Sequence, residues 1–452
     1  MEEKRYLKWY NKIGYGSGDI AGNVVYSFLS SFVMIYLTNT VGLNAGIVGT
    51  LMAISKLFDG ITDIFFGSLI DRTKSKLGKA RPWMLYGFIG CAATLVAIFA
   101  IPTGMGEFGQ YACFFVAYTS LNAIFYTANN IAYSALTALV TKNGSERVEM
   151  GAYRFVFAFS TNLLIQTFTL KLVDGFGGGA IGWKTVAIIY AIIGIIVNTL
   201  SVFSVKELTE EELNENHVQS ENERHGLLDV AKLLVSNKYY LMICTTYILQ
   251  YIYIALINMG LYFMTYVLFN EDLYPAFSWA VNIPFIVSMV ITPKLVAKMN
   301  GMYKINFIGY VIGSIGRVLV MVAAYLSNVP MMLVFTAVAA LGMGPWTSDS
   351  NAVIAACAEH TYLTTGKRVD GAMYSCTSLG VKVGGGLGTA IAGWLLAFSG
   401  FDETLMIQSE TCVQMLYVMY LILPAIITIM ITFIMSKMNV EKANAELMHS
   451  VK

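Results

Sequence analysis

Long apolar runs, broken at short intervals by polar turns, recur along all 452 residues. A membrane-spanning helix needs about 20 mostly apolar residues. Twelve segments reach that length. The first six lie near 15–39, 45–70, 83–102, 109–140, 151–173 and 183–205; the second six lie near 236–268, 275–297, 304–326, 330–357, 371–399 and 412–436. The pattern predicts an all-α membrane protein with twelve transmembrane helices. Between the two sets stands "KELTEEELNENHVQSENERHG", Lys206 to Gly226. It reads as a linker over 206–228 joining two six-helix bundles, 1–205 and 229–452; part of it is alternatively a surface amphipathic helix.

Basic residues set the orientation, since cytoplasmic loops collect Lys and Arg. They sit in the N-terminal tail (Lys4, Arg5, Lys8, Lys12), after the second segment (Arg72, Lys74, Lys76, Lys79, Arg81), after the eighth (Lys294, Lys298, Lys304) and after the tenth (Lys367, Arg368). Both termini and the linker are therefore expected in the cytoplasm of a cell with this protein in its inner membrane. The polar N-terminus lacks a signal-peptide pattern. "GSLIDRTKSKLGKARPW" after the second segment is faintly echoed by "TPKLVAKMNGMYKINFIG" after the eighth. Six plus six helices with such an echo suggest a transporter of two repeated halves.

Composition agrees: 56% of residues are hydrophobic and 13% charged, against roughly 25% charged in soluble domains. The net charge of +1 and the lack of basic clusters with aromatics give no sign of a nucleic-acid partner. Six scattered cysteines and four histidines in or beside polar segments show no metal-ligand spacing, and no nucleophile–base pair suggests an enzyme. No cofactor is expected, and the chain is expected to be a monomer in contact with membrane lipid.

Charges at membrane depth are expensive and usually functional. Asp59 and Asp63 in the second segment are four residues apart, on one helix face. Two close carboxylates in low dielectric need a proton or a cation between them, which suits reversible capture of H⁺ or Na⁺. Lys56, one turn earlier, is a competing partner, and a fixed Lys56–Asp59–Asp63 bridge is the alternative. Asp19 in "GYGSGDIAGNVVYSF" shares a face with Tyr26: a carboxylate for hydroxyls and an aromatic for a pyranose face make a sugar site, or else Asp19 only packs helices. "YTANNIAYSALTALVT" supplies Thr127, Asn129, Asn130 and Tyr133, as ligands or as interhelical hydrogen bonds. Lys382 in "SLGVKVGGGLG" offers a counter-charge to the acids. Trp346, one turn from Asp349, either caps a sugar ring or packs. Arg317 is either a structural partner or the contact for an anionic substrate.

"FDGITDIFFGSLIDRTKSKLGKARPW" resembles the signature of the glycoside–pentoside–hexuronide:cation symporters of the major facilitator superfamily. The resemblance extends through "GYGSGD", "YTANNIAY", "AYRF", "EHTYLTTGKRVDGAMYS" and "VKVGGG". It implies the major facilitator fold and symport of a sugar with Na⁺ or H⁺. It also implies that Asp59, Asp63, Thr62 and Thr127 hold the coupling cation. Asp19, Tyr26, Arg154 and Trp346 would then meet the sugar, with Lys382 near the cation and Lys56 where an arginine is found. Two positions depart from the melibiose carrier. Asn130 replaces a second sugar-binding aspartate, which favours glucuronides or pentosides over galactosides. Thr62 replaces an asparagine ligand, which leaves H⁺ beside Na⁺. A carrier of lysolipids or amphipathic molecules is the rival within the fold; a sensor or channel is the rival outside it.

Overall fold

The computed structural model describes residues 5–102, 104–141, 143–209, 227–299, 301–367 and 373–450. Twelve long helices follow one another: α1 (Trp9–Thr40), α2 (Ala45–Arg72), α3 (Arg81–Ile98), α4 (107–140), α5 (Gly144–Gly175), α6 (Gly179–Ser204), α7 (Lys238–Tyr266), α8 (Leu273–Met299), α9 (Tyr303–Tyr325), α10 (Val329–Thr365), α11 (Ser375–Phe398) and α12 (410–437). Short helices Leu227–Ser236 and Val440–Ser450 precede α7 and follow α12. Among the described residues there is no strand, and ten helices are long and apolar enough to cross a membrane. The 28-residue α2 is about 42 Å long at 1.5 Å per residue. The architecture is the all-α major facilitator fold.

Local chemistry starts these helices. Asn44, Asn143, Asn237, Asn328 and Ser409 each accept a hydrogen bond from a backbone N–H of the first turn of α2, α5, α7, α10 and α12. Such caps satisfy donors that no helix can pair internally.

By internal contacts the chain forms two compact units, Met1–Val218 with Asp402–Leu405, and Gln219–Phe401 with Met406–Lys452. The first unit holds an aromatic cluster in which Phe28 stacks on Phe99 at 4.2 Å, with Phe32, Tyr36, Trp183 and Tyr190 around them. In the second unit α9 and α10 touch through glycine: a Cβ on Gly316 would lie 2.7 Å from the Ala339 nitrogen, so any side chain there would part the helices.

The faint sequence echo has a structural counterpart. Glu207, just past α6, accepts the N–H groups of Lys79, Ala80 and Arg81 at 2.6, 2.9 and 3.0 Å. Glu441, just past α12, accepts those of Met302 and Tyr303 at 2.9 and 3.0 Å. Each carboxylate thus sits on the N-terminus of the third helix of its unit, α3 or α9, where the helix dipole favours negative charge. Gly78 and Gly301, at φ +110° and +154°, admit these carboxylates; an added Cβ would overlap either one. Arg81 also donates to the Val202 carbonyl at 2.8 Å, and Leu208 N–H to that of Leu139. The expected linker is therefore pinned to the first unit at 207–208, residues 210–226 lie outside the described residues, and helix resumes at Leu227.

α10 runs eight residues beyond the expected end at 357, to Thr365. Its polar extension is held by the C-terminal helix: His360 Nδ1 lies 2.9 Å from Asn444 Oδ1, and Asn444 Nδ2 donates to the Ala356 carbonyl.

Candidate functional site

The polar face of α4 organises the first unit. Its stretch Ser120–Tyr126 is wound as a π-helix, a form frequent at functional sites. Thr127 follows it at once. The Thr127 hydroxyl lies 2.5 Å from Asp59 Oδ1 on α2 and 2.9 Å from the Asn122 carbonyl five residues back. Thr62 donates its hydroxyl to the Asp59 backbone carbonyl at 3.2 Å, so the oxygen of Thr62 keeps lone pairs for a cation. Asp59 and Lys56 are half-buried. The side chain of Asp63 lies outside the described residues.

Six residues further, about 9 Å along the same helix, Tyr133 meets Asp19. The reason is a break in α1. Its first piece ends at Gly16 and its second starts at Gly18. The Tyr15 carbonyl at this break accepts from the hydroxyls of Tyr133 (2.8 Å) and Ser201 (2.9 Å). A Cβ on Gly16 would stand 2.8 Å from Tyr153 Cβ, and one on Gly18 would stand 2.7 Å from Ser201 Oγ and 2.9 Å from the Tyr133 ring. The "GYGSGD" motif is thus a requirement for close approach of α4, α5 and α6 to α1.

Asp19 then opens the second piece of α1. Its Oδ2 accepts from Arg154 Nε at 2.6 Å and lies 3.0 Å from the Tyr133 hydroxyl. The Arg154 guanidinium sits 4.1 Å from the centre of the Tyr133 ring, a cation–π contact. The side chains of Arg154 and Asp19 keep 25% and 17% of their surface exposed, so a ligand can still reach the pair. Tyr26, 38% exposed, stacks on Tyr126 at 6.3 Å. The Asn130 side chain is exposed and lies between Tyr126 and Tyr133 in helical register. Asn129 instead is buried and structural: it donates to the Met84 carbonyl at 2.7 Å and to Asn198 Oδ1 at 3.1 Å.

In the second unit the expected residues have other company. Trp346 is 1% exposed, donates to Gln250 Oε1 at 3.3 Å and packs on Tyr247. No face of that indole is open for stacking on a sugar, so it packs here. The Asp349 carboxylate accepts from Asn306 Nδ2 at 2.9 and 3.0 Å. Lys382 is half-buried within the π-helical turn Gly380–Gly384. Gly380, Gly384 and Gly388 bring α11 onto α7, where added Cβ atoms would meet Tyr247, Ile248 and Ala255.

Tyr15, Tyr126 and Ser201 were not expected. Tyr126 carried a signal in the sequence, four and seven residues before Asn130 and Tyr133. Tyr15 and Ser201 carried none, because their role is to hold the α1 break. Chemically, the first unit offers on one side a carboxylate beside the Thr127 hydroxyl, with the Thr62 hydroxyl on the backbone carbonyl of the same aspartate. On the other it offers a carboxylate neutralised by a guanidinium and flanked by phenols.

Comparison with known proteins gives the family of the chain. A family model described as MFS/sugar transport protein matches residues 14–442. The chain is 27% identical to the uncharacterized symporter YnaJ of Bacillus subtilis (strain 168), over 88% of this chain and 85% of that one. It is 27% identical to the isoprimeverose transporter of Lactiplantibacillus pentosus, over 92% and 86%. It is 25% identical to the glucuronide carrier protein homolog of Escherichia coli (strain K12), over 87% and 85%. Among solved structures, the D323A mutant of the nucleoside transporter NupG superposes with a TM-score of 0.67 over 95% of this chain and all of that one, at 12% identity, a likeness of fold alone. The chain is a multi-pass membrane transporter and not an enzyme, and it belongs to the MFS/sugar transport protein family.

Proposed function

We propose that the protein is a secondary active symporter that couples uptake of a sugar glycoside to a cation. The observation that carries this reading is α4, which joins Asp59–Thr127 at one level to Asp19–Arg154–Tyr133 at the next. The cation neutralises Asp59, together with Asp63, and uses the oxygens of Thr62 and Thr127. Neutralising α2 beside α4 steadies the helix that orients Asp19 for sugar hydroxyls. Each ligand then raises the affinity for the other, as linkage requires. Transport proceeds by alternating access of two six-helix bundles, 1–205 and 229–452, in the inner membrane with both termini cytoplasmic. Asp19, Tyr26, Asn130, Tyr133 and Arg154 of the first bundle meet the sugar.

Glucuronides or pentosides are the favoured cargo. Asn130 puts an amide where a carboxylate would repel a uronate, and the names of two relatives, an isoprimeverose transporter and a glucuronide carrier homolog, point the same way. The deciding experiment is uptake of a small glycoside panel into vesicles, with Na⁺ and pH gradients imposed separately. One gradient is expected to drive accumulation of a glucuronide or pentoside. Uptake that ignores both gradients, or that only lysolipids inhibit, refutes the reading.

A further inference from the structure

Arg317 is the fifteenth of the 23 residues of α9, about 21 Å from one end and 12 Å from the other. It lies well inside the span and is 2% exposed. Nη2 donates to the Tyr253 hydroxyl on α7, and the guanidinium carbon sits 5.0 Å from the centre of that ring. Nε and Nη1 are buried and donate to no protein group. None of the ion pairs among the described residues reaches Arg317. On α10, which Gly316 meets at Ala339, Thr336 lies one turn away, and its hydroxyl is a second buried polar atom without a partner.

A guanidinium stays charged in proteins, so this burial is not relieved by losing a proton as it can be for lysine. Tyr253 supplies a neutral oxygen, not a counter-charge. Water satisfies N–H groups but leaves the charge uncompensated at membrane depth. The donor geometry is also selective. Tyr253 takes one N–H of Nη2. The other N–H of Nη2 still forms a parallel fork, either with Nε or with Nη1, and such a fork matches the two oxygens of a carboxylate. Arg154, the other deeply placed arginine, is already matched by Asp19.

We propose that Arg317, braced by Tyr253, is a carboxylate-recognition subsite of the second unit. The carboxylate comes from an anionic sugar cargo or from a free small carboxylate. The cargo source rests on the sugar-symport reading above; the free-anion source does not.

The test uses the full chain in proteoliposomes. Counterflow of a nitrophenyl glucuronide is compared with that of the matching nitrophenyl glucoside for wild type, Arg317→Gln, Arg317→Lys and Tyr253→Phe. The melting temperature of each detergent-solubilised protein is measured with and without acetate, against chloride. Arg317→Gln is expected to slow glucuronide counterflow about tenfold or more and to leave the glucoside nearly unchanged. Arg317→Lys, which keeps the charge without the fork, falls between. If both sugars behave alike but acetate raises the melting temperature of wild type and not of Arg317→Gln, the carboxylate is a free one. Variants that match wild type in every measurement overturn the proposal in favour of a merely hydrated arginine. Equal loss of both sugars in Gln and Lys variants, without an acetate effect, overturns it in favour of packing. If wild type carries neither sugar, the symport reading fails and the acetate measurement alone decides the subsite.

Discussion

Arg154 Nε donates to Asp19 Oδ2 at 2.6 Å, and that one contact ties α5 to the break in α1. The Tyr133 hydroxyl lies 3.0 Å from the same oxygen, so neither contact uses Oδ1. A half-used carboxylate, already charge-balanced, can turn to sugar hydroxyls without first giving up a partner.

Asp19→Asn removes the charge that balances Arg154. Breaking one side of a buried pair costs about 3–5 kcal/mol, and partial exposure lowers this to roughly 1–3 kcal/mol here. Sugar binding is expected to fall sharply while cation-dependent stabilisation persists. The double variant Asp19→Asn/Arg154→Gln should recover part of the melting temperature but none of the transport. Intact counterflow in Asp19→Asn would remove Asp19 from the sugar site.

Thr127→Val keeps the shape of the side chain and deletes its hydroxyl from Asp59. A hydrogen bond to a charged group contributes about 1.5–3 kcal/mol, so the apparent affinity for the driving cation should drop roughly tenfold or more. Asp59→Cys should abolish cation-driven uptake yet leave gradient-free exchange of sugar. Uptake that remains fully coupled in Asp59→Cys contradicts the cation assignment.

The paired clamps of Glu207 and Glu441 give a stability prediction. Each Glu→Gln variant weakens a charge on a helix N-terminus, worth about 0.3–1 kcal/mol. Gly78→Ala is expected to be worse, by about 1–3 kcal/mol, because φ is +110° and the new methyl meets the carboxylate. Thermal unfolding in detergent measures both. A Gly78→Ala protein as stable as wild type would mean that the Glu207 clamp is not formed.

Glu146, buried just before the α5 span, supplies a pH prediction. Burial pushes its carboxyl up. Bonds from Thr141 Oγ1 (2.7 Å) and the Leu7 and Tyr6 N–H groups (3.0 and 3.1 Å), with Lys12 Nζ at 3.5 Å, outweigh burial and hold it below the usual range. A depressed carboxyl stabilises the fold above its ordinary value of about 4.3, and that contribution is lost as pH falls through the lower folded value. Exchange protection of the Tyr6 and Leu7 amides should therefore hold at neutral pH and decline only in acid below pH 4.3. Glu146→Gln should weaken protection at neutral pH and flatten its pH dependence.

Much of this was legible in the chain itself. The apolar runs set twelve helices, because a spanning segment has a required length and composition. The charges that survive in such runs are expensive and so few, which marked Asp19 and Asp59 beforehand. What the sequence could not determine was which polar group meets which. Asn129 and Asn130 are neighbours with the same side chain; helical rotation alone turns Asn129 into glue on Met84 and Asn198 and leaves Asn130 exposed. For Trp346 the sequence left capping a sugar ring and packing both open, and tertiary structure encloses it against Tyr247. The glycines of "GYGSGD" gained their reason only when three other helices were seen to press on them. Length and hydropathy are local sums along the chain, whereas partner choice depends on atoms a hundred residues apart, and only tertiary packing decides it.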